Sequence, residues 1–174
     1  MLTKNQRKYL ETISESEIAV IKPWDHKTTE IANELMEKIK SATPDLDVLY
    51  TGASALGIPG QNDIDFNILS PTQDFNKYLL DLIKVLGQPQ KVGEKNVRWE
   101  IVKDGYNIDV YLADADSRET REQKLVFMLL KDNPKLLEEY KDIKEASNGL
   151  PLREYMRRKY EFYNRIILPK DRDT

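Results

Sequence analysis

Between Val48 and Leu69 the chain changes its pattern twice, and this stretch limits what the whole can fold into. Val48-Leu49-Tyr50-Thr51 is a short β-rich run that stops at Gly52. Gly52-Ala53-Ser54 and the following Gly57-Ile58-Pro59-Gly60 gather glycine and proline that are thinly spread elsewhere, so the backbone is expected to turn there. Strict alternation then begins, with Asp63, Asp65 and Asn67 interleaved with Ile64, Phe66 and Ile68. Successive side chains on a strand point to opposite faces, so the apolar three enter a core and both carboxylates project from the other side. The predicted centre is a strand, a glycine-rich turn and a second strand that carries acid.

Around this centre the periodicity predicts further elements. A short helix runs from Thr3 to about Ile13, and Ile18-Ala19-Val20-Ile21 forms an extended segment broken by Pro23. Asp25 is placed to cap a helix in which Ile31, Leu35, Met36 and Ile39 recur at helical spacing until Pro44. Pro71 opens another, with Phe75, Tyr78, Leu79, Leu82, Ile83 and Leu86 on one face and Gly87 at its end. Strands at 97–102 and 106–112 are joined by Lys103-Asp104-Gly105, the strongest hairpin signal in the chain. Helices follow at about 117–131, 134–147 and 151–167. This order predicts an α/β (α+β) fold, a small mixed β-sheet flanked by helices with a helical C-terminal part. At 174 residues one domain is expected, with 1–116 as the α/β core plus N-terminal helices and 117–174 as a helical extension.

Composition narrows the chemistry. Cysteine is absent and His26 is the single histidine, which excludes disulfides, thiolate catalysis and zinc or iron–sulfur sites and leaves oxygen as the ligand for any metal. No apolar run is long enough to cross a bilayer, and the opening Met1 to Glu15 lacks the apolar segment of an export signal, so a cytoplasmic location without membrane partners is expected. The net charge of −3 argues against coating nucleic acid by bulk positive charge. The charge is unevenly spread, however. From Leu150 onward seven basic residues (Arg153, Arg157, Arg158, Lys159, Arg165, Lys170 and Arg172) face four acidic ones, which leaves −6 on the rest.

Two carboxylates side by side repel unless a cation lies between them, and a hard divalent ion, Mg²⁺ or Mn²⁺, suits Asp63 and Asp65. Asp109, flanked by Ile108 and Val110 on a predicted strand, is a third candidate. If its strand lies beside the first, three carboxylates converge beyond the glycine turn. The turn itself offers backbone N–H groups and the Ser54 hydroxyl to phosphate oxygens. Plainer readings stand beside these. Alternating strands commonly show polar residues to water, Ser54 also suits a turn or cap, and Lys159, within the apolar face of the last helix, can snorkel to water or reach a phosphate. Arg98 and Trp99 are candidates to bracket a base by stacking, although a tryptophan on a strand is more often core. His26, near a helix start, is read as structural.

The glycine-serine turn, the Asp63-x-Asp65 strand and Asp109 on a later strand together resemble the nucleotidyltransferase superfamily with the polymerase β-like fold, over roughly Tyr50 to Leu112. The resemblance implies that Asp63 and Asp65 bind Mg²⁺ ions holding a nucleoside triphosphate, that Asp109 completes the second metal site and helps activate the attacking group, and that Gly52 and Ser54 contact the triphosphate. Outside that core the chain is similar to the GrpB-like branch. Lys22-Pro23-Trp24-Asp25, Gly52-Ala53-Ser54 with Pro59-Gly60, Asn133-Pro134 leading to Tyr140 and Lys144, and Tyr155-x-x-x-Lys159-x-x-Phe162 carry that likeness. The sequence departs from it at three places. Ala53 stands where the superfamily usually has serine, Phe127-Met128-Leu129 where the branch has Phe-Arg-Asp, and Asp109 where the branch has histidine.

The resemblance implies an Mg²⁺-dependent nucleotidyltransferase that moves a nucleoside monophosphate from a triphosphate to an acceptor, with Asp63, Asp65 and Asp109 at the metals and Gly52 and Ser54 at the nucleotide; the positions of Lys159 and Arg98 add these two as nucleotide-binding candidates. A non-catalytic nucleotide- or metabolite-binding module of the same fold is the alternative, to which Ala53 lends weight. A third reading is an interaction protein that uses the basic C-terminal helix.

Overall fold

The structure, a computed structural model, describes residues 1–167. In chain order the elements are α1 (Lys4–Thr12), α2 (Lys27–Ala42), β1 (Asp47–Thr51), α3 (Gly52–Leu56), β2 (Ile64–Ser70), α4 (Phe75–Leu86), β3 (Lys91–Val92), β4 (Asn96–Lys103), β5 (Tyr106–Asp114), α5 (Arg118–Asp132), α6 (Pro134–Glu145) and α7 (Leu152–Ile167). They fall into two compact units. One comprises Trp24–Ile58 and Asn62–Arg121, the other Met1–Pro23, Pro59–Gln61 and the described residues from Glu122 onward.

The first unit is built on a five-stranded sheet of order β1-β2-β5-β4-β3. β2 pairs antiparallel with β1 and parallel with β5, and β5 pairs antiparallel with β4 through the expected hairpin. Asp104 and Gly105 both take positive φ, 53° and 84°, as a tight two-residue hairpin turn requires. The alternation sorts the faces. Phe66, Val110 and Trp99 form one apolar row across β2, β5 and β4, and Ile68, Leu112 and Val97 form the next. These side chains join Ile31, Ala32 and Ile39 of α2 and Phe75, Tyr78 and Leu82 of α4 in one core cluster. Trp99, fully buried, donates its indole N–H to the Gly87 carbonyl at 2.9 Å, which settles the tryptophan as core.

Two elements differ from the sequence expectation. β2 begins at Ile64, so Asp63 lies just ahead of the strand. β3, an edge strand of two residues, was not foreseen, because so short a run has no periodicity to read. Asp25 serves the start of α2 much as expected: its carboxylate accepts the Lys27 N–H at 2.9 Å, one position ahead of His26, the residue at the helix boundary.

In the second unit α1 lies against α7, and Tyr140 of α6 stacks on Phe162 of α7 with ring centroids 5.4 Å apart. Lys144, nearly buried, donates to the Tyr155 hydroxyl at 2.7 Å. The basic residues of α7 are largely balanced. Arg157 and Arg158 bond Glu154 at 2.7 and 2.8 Å, Arg157 also bonds Glu161, and Arg165 pairs with Glu139. This pairing weakens the reading of α7 as a basic interaction helix; Lys170 and Arg172 lie outside the described residues. Among the described residues no helix is long and apolar enough to cross a membrane.

Removing the Phe66 ring opens a cavity at the middle of the sheet. Phe66→Ala is expected to cost about 3–5 kcal/mol, read as a lower urea midpoint. Glu154, held at about 2 chiefly by its hydrogen bonds from Arg157 and Arg158, binds protons less readily folded than unfolded, where its value is 4.5. Its contribution is present above that unfolded value and is lost as pH falls toward the folded one. Glu154→Gln should flatten the thermal stability profile between those two limits.

Candidate functional site

The polar face of the sheet carries the site. In the parallel pairing of β2 with β5, Asp65 lies directly opposite Asp109. Across the next ladder Asp109 faces Glu100 of β4, and on the other side Thr51 of β1 faces Asp65. One transverse row therefore reads Thr51, Asp65, Asp109, Glu100, and paired residues in a row share a face. The row beside it reads Asn67, Tyr111, Arg98. Asp63, two residues ahead of Asp65, lies just before β2. Glu100 is the site residue that the sequence reading missed. Its position in Trp99-Glu100-Ile101 carried the signal, since residues alternating with a buried Trp99 share the face of Arg98.

The turn is shaped around Asp65. Gly52 ends β1 with φ +83°, and a Cβ built there would lie 2.5 Å from Asp65 Oδ2. Glycine is required on two counts, the left-handed backbone and the space that the carboxylate fills. The chain then makes the single helical turn of α3, and Gly57 closes it in the left-handed conformation with φ 67°. Ser54 is buried and donates its hydroxyl to the Asp63 backbone carbonyl at 2.7 Å, tying the helical turn to the start of β2. Its hydroxyl is thus engaged in positioning Asp63. Trp24 donates its indole N–H to the Ser54 carbonyl at 3.1 Å, and Tyr106 donates its hydroxyl to Asp25. The Trp24-Asp25 pair thus braces the turn and the start of α2. Behind the turn Tyr50 stacks on Phe66, and burial raises the pKa of its phenol against the opposing effect of the neighbouring Ser54 and Thr28 hydroxyls.

Arg98 dominates the electrostatics. Its Nε and Nη2 donate to Asp109 Oδ1 at 3.1 and 2.8 Å, its Nη1 meets Glu100 Oε1 at 2.8 Å, and its guanidinium lies 5.5 Å from the centre of the Tyr111 ring. Partial burial works against the charge of Arg98, yet the bond to Asp109 and the neighbouring Tyr111 and Glu100 more than offset it, and its pKa is raised. Burial and the Asp109 carboxylate push the Tyr111 phenol up to about 12, so it stays protonated and able to donate.

The structure thus brings Gly52, Ser54, Asp63, Asp65, Arg98 and Asp109 into one unit and places Lys159 on α7 in the other, its Nζ 5.6 Å from the Tyr163 ring centre. The carboxylates and hydroxyls of this face are hard oxygen donors, which suit Mg²⁺ or Mn²⁺ in kind. Their side chains are not drawn together. Among the described residues no three acidic, histidine or cysteine groups stand close enough to hold a metal ion.

No protein-family model matches the chain, and no curated protein matches it. Solved structures do. The conserved protein GrpB from Enterococcus faecalis superposes with a TM-score of 0.61 at 12% identity, over 84% of this chain and 99% of that one. Cid1, described by its RNA terminal uridylyl transferase activity, matches with a TM-score of 0.52 at 16% identity, over 80% of this chain and 43% of its own length. The chain therefore has the nucleotidyltransferase-type fold, matching nearly the whole of GrpB and less than half of Cid1.

Gly52 and Gly57 offer an internal comparison. Both take positive φ, but a Cβ at Gly57 would meet nothing within 4 Å. Gly57→Ala should cost about 1 kcal/mol, and Gly52→Ala clearly more in guanidinium unfolding. Equal costs would mean that Asp65 does not rest against the turn.

Proposed function

We propose that the chain is a divalent-cation-dependent nucleotidyltransferase. The observation that carries the reading is the β2–β5 register, with Asp65 opposite Asp109 on one face and Asp65 set against the Gly52 turn. Asp63, Asp65 and Asp109 would hold Mg²⁺ or Mn²⁺, with the triphosphate beside the Gly52 turn. Ions bound there supply Lewis acidity at the α-phosphate and neutralise the leaving pyrophosphate. Asp109 accepts the proton of the acceptor group as its oxygen or nitrogen bonds to the α-phosphorus and the bond to the β-phosphate oxygen breaks. Ser54 acts one step removed, fixing the Asp63 backbone, and with its hydroxyl so engaged the triphosphate falls to the backbone N–H groups of the turn. Tyr111, protonated throughout the physiological range, offers a neutral donor on the same face.

The second reading, a nucleotide-binding module without turnover, is favoured by one specific observation, the engagement of Asp109 by Arg98. The two are separated by incubating the protein with each α-labelled nucleoside triphosphate, Mg²⁺ and a mixture of hydroxyl and amine acceptors. A transferase releases pyrophosphate only with the cation, and Asp65→Asn or Asp109→Asn lowers the rate at least about 10³-fold. Saturable binding of a non-hydrolysable triphosphate, with no pyrophosphate from any of the four, would establish the module instead.

A further inference from the structure

Asp109 is the carboxylate that joins the two halves of the acidic row, and it is tied to a cation of the protein's own, Arg98. β5 lies between β2 and β4, so a bond from Asp109 to Arg98 on β4 draws the carboxylate away from Asp65 on β2. Both bonds to Asp109 end on Oδ1, while the third nitrogen of the fork is held by Glu100. Arg98 sits opposite Tyr111 and reaches Asp109 diagonally, a reach that the ring beneath its guanidinium supports. The arrangement accounts for the absence, among the described residues, of a gathered three-carboxylate group.

We infer that Arg98 and Glu100 form a latch on Asp109, which keeps the third carboxylate out of the metal centre until a divalent ion takes the place of the guanidinium. The inference rests on the reading of this face as a nucleotidyltransferase centre and adds a regulation to it. The latch is built to open. The Asp109 and Arg98 side chains keep 24% and 35% of their surface exposed, so water can take over the hydrogen bonds as they part. A fully buried pair would leave two desolvated charges when separated and would not exchange. Glu100, more exposed at 52%, gives the released guanidinium a partner and a resting place on β4. Metal loading then trades one cation for another at Asp109 and leaves Arg98 on the same face, free to meet a negatively charged substrate.

Mn²⁺ titration of the full chain, followed by the electron paramagnetic resonance signal of the free aqua ion, tests the latch without any turnover. Arg98→Gln should tighten Mn²⁺ binding about tenfold, the worth of one charge-assisted bond no longer broken on loading. Arg98→Lys keeps the charge but loses the fork, and should still tighten it by a smaller factor. Glu100→Gln leaves Asp109 as the sole carboxylate partner of the guanidinium and should weaken binding. In an Asp109→Asn background each of these changes should lose its effect. Circular dichroism melts identify any variant that fails to fold, and the exposed Glu100→Gln and conservative Arg98→Lys carry the test if Arg98→Gln does. The latch is overturned if Mn²⁺ affinity ignores Arg98→Lys, or if the variants act equally with and without the Asp109 carboxylate, the mark of a general field. The function itself falls separately: a wild-type chain with no Mn²⁺ site sensitive to Asp65→Asn has no metal centre for a latch to guard.

Discussion

β2 and β5 run parallel with Asp65 opposite Asp109, and the rest of the site follows from that register. Side chains alternate strictly along a strand, so a slip of one residue would bury both carboxylates and expose Phe66 and Val110. The core prevents the slip. Ile64, Phe66, Ile68, Ile108, Val110 and Leu112 are all buried beneath α2 and α4, and losing that burial would cost many times what any polar contact on the other face returns. The apolar face therefore holds the acidic face in place, although it touches none of its chemistry.

A second constraint acts at the turn. The Asp65 carboxylate comes so near the Gly52 backbone that no side chain fits between them, and the Ser54 hydroxyl fastens the following helical turn to the Asp63 carbonyl. Trp24 holds the same turn from outside through the Ser54 carbonyl. Backbone, hydroxyl and indole thus fix Asp65 on β2 and Asp63 just ahead of it from three directions. Such preorganisation matters where negative charges must wait close together for a cation, because flexible carboxylates would simply turn apart.

Charge on this face is offset only in part within the face. Of Asp63, Asp65, Asp109 and Glu100, the last two bond the Arg98 guanidinium on the β4–β5 side. The same logic separates this region from α7, where Arg157 and Arg158 are matched by Glu154 and Glu161 along one helix and the local charge is largely cancelled.

By itself the sequence determined the elements and which side of each strand carries acid, because both are written in local periods: two along β2 and β5, near four along α2 and α4, with Gly52, Gly87 and Asp104-Gly105 marking the ends. It also placed Asp63, Asp65 and Asp109 together conditionally, through a strand order it could not itself decide. The tertiary structure decided that order, putting β5 rather than β4 beside β2, and it decided the partners of Asp109, Ser54 and Trp99. Those outcomes depend on which distant segments share a core and how near two side chains come across it, and no period or spacing along the chain encodes a distance between residues that far apart.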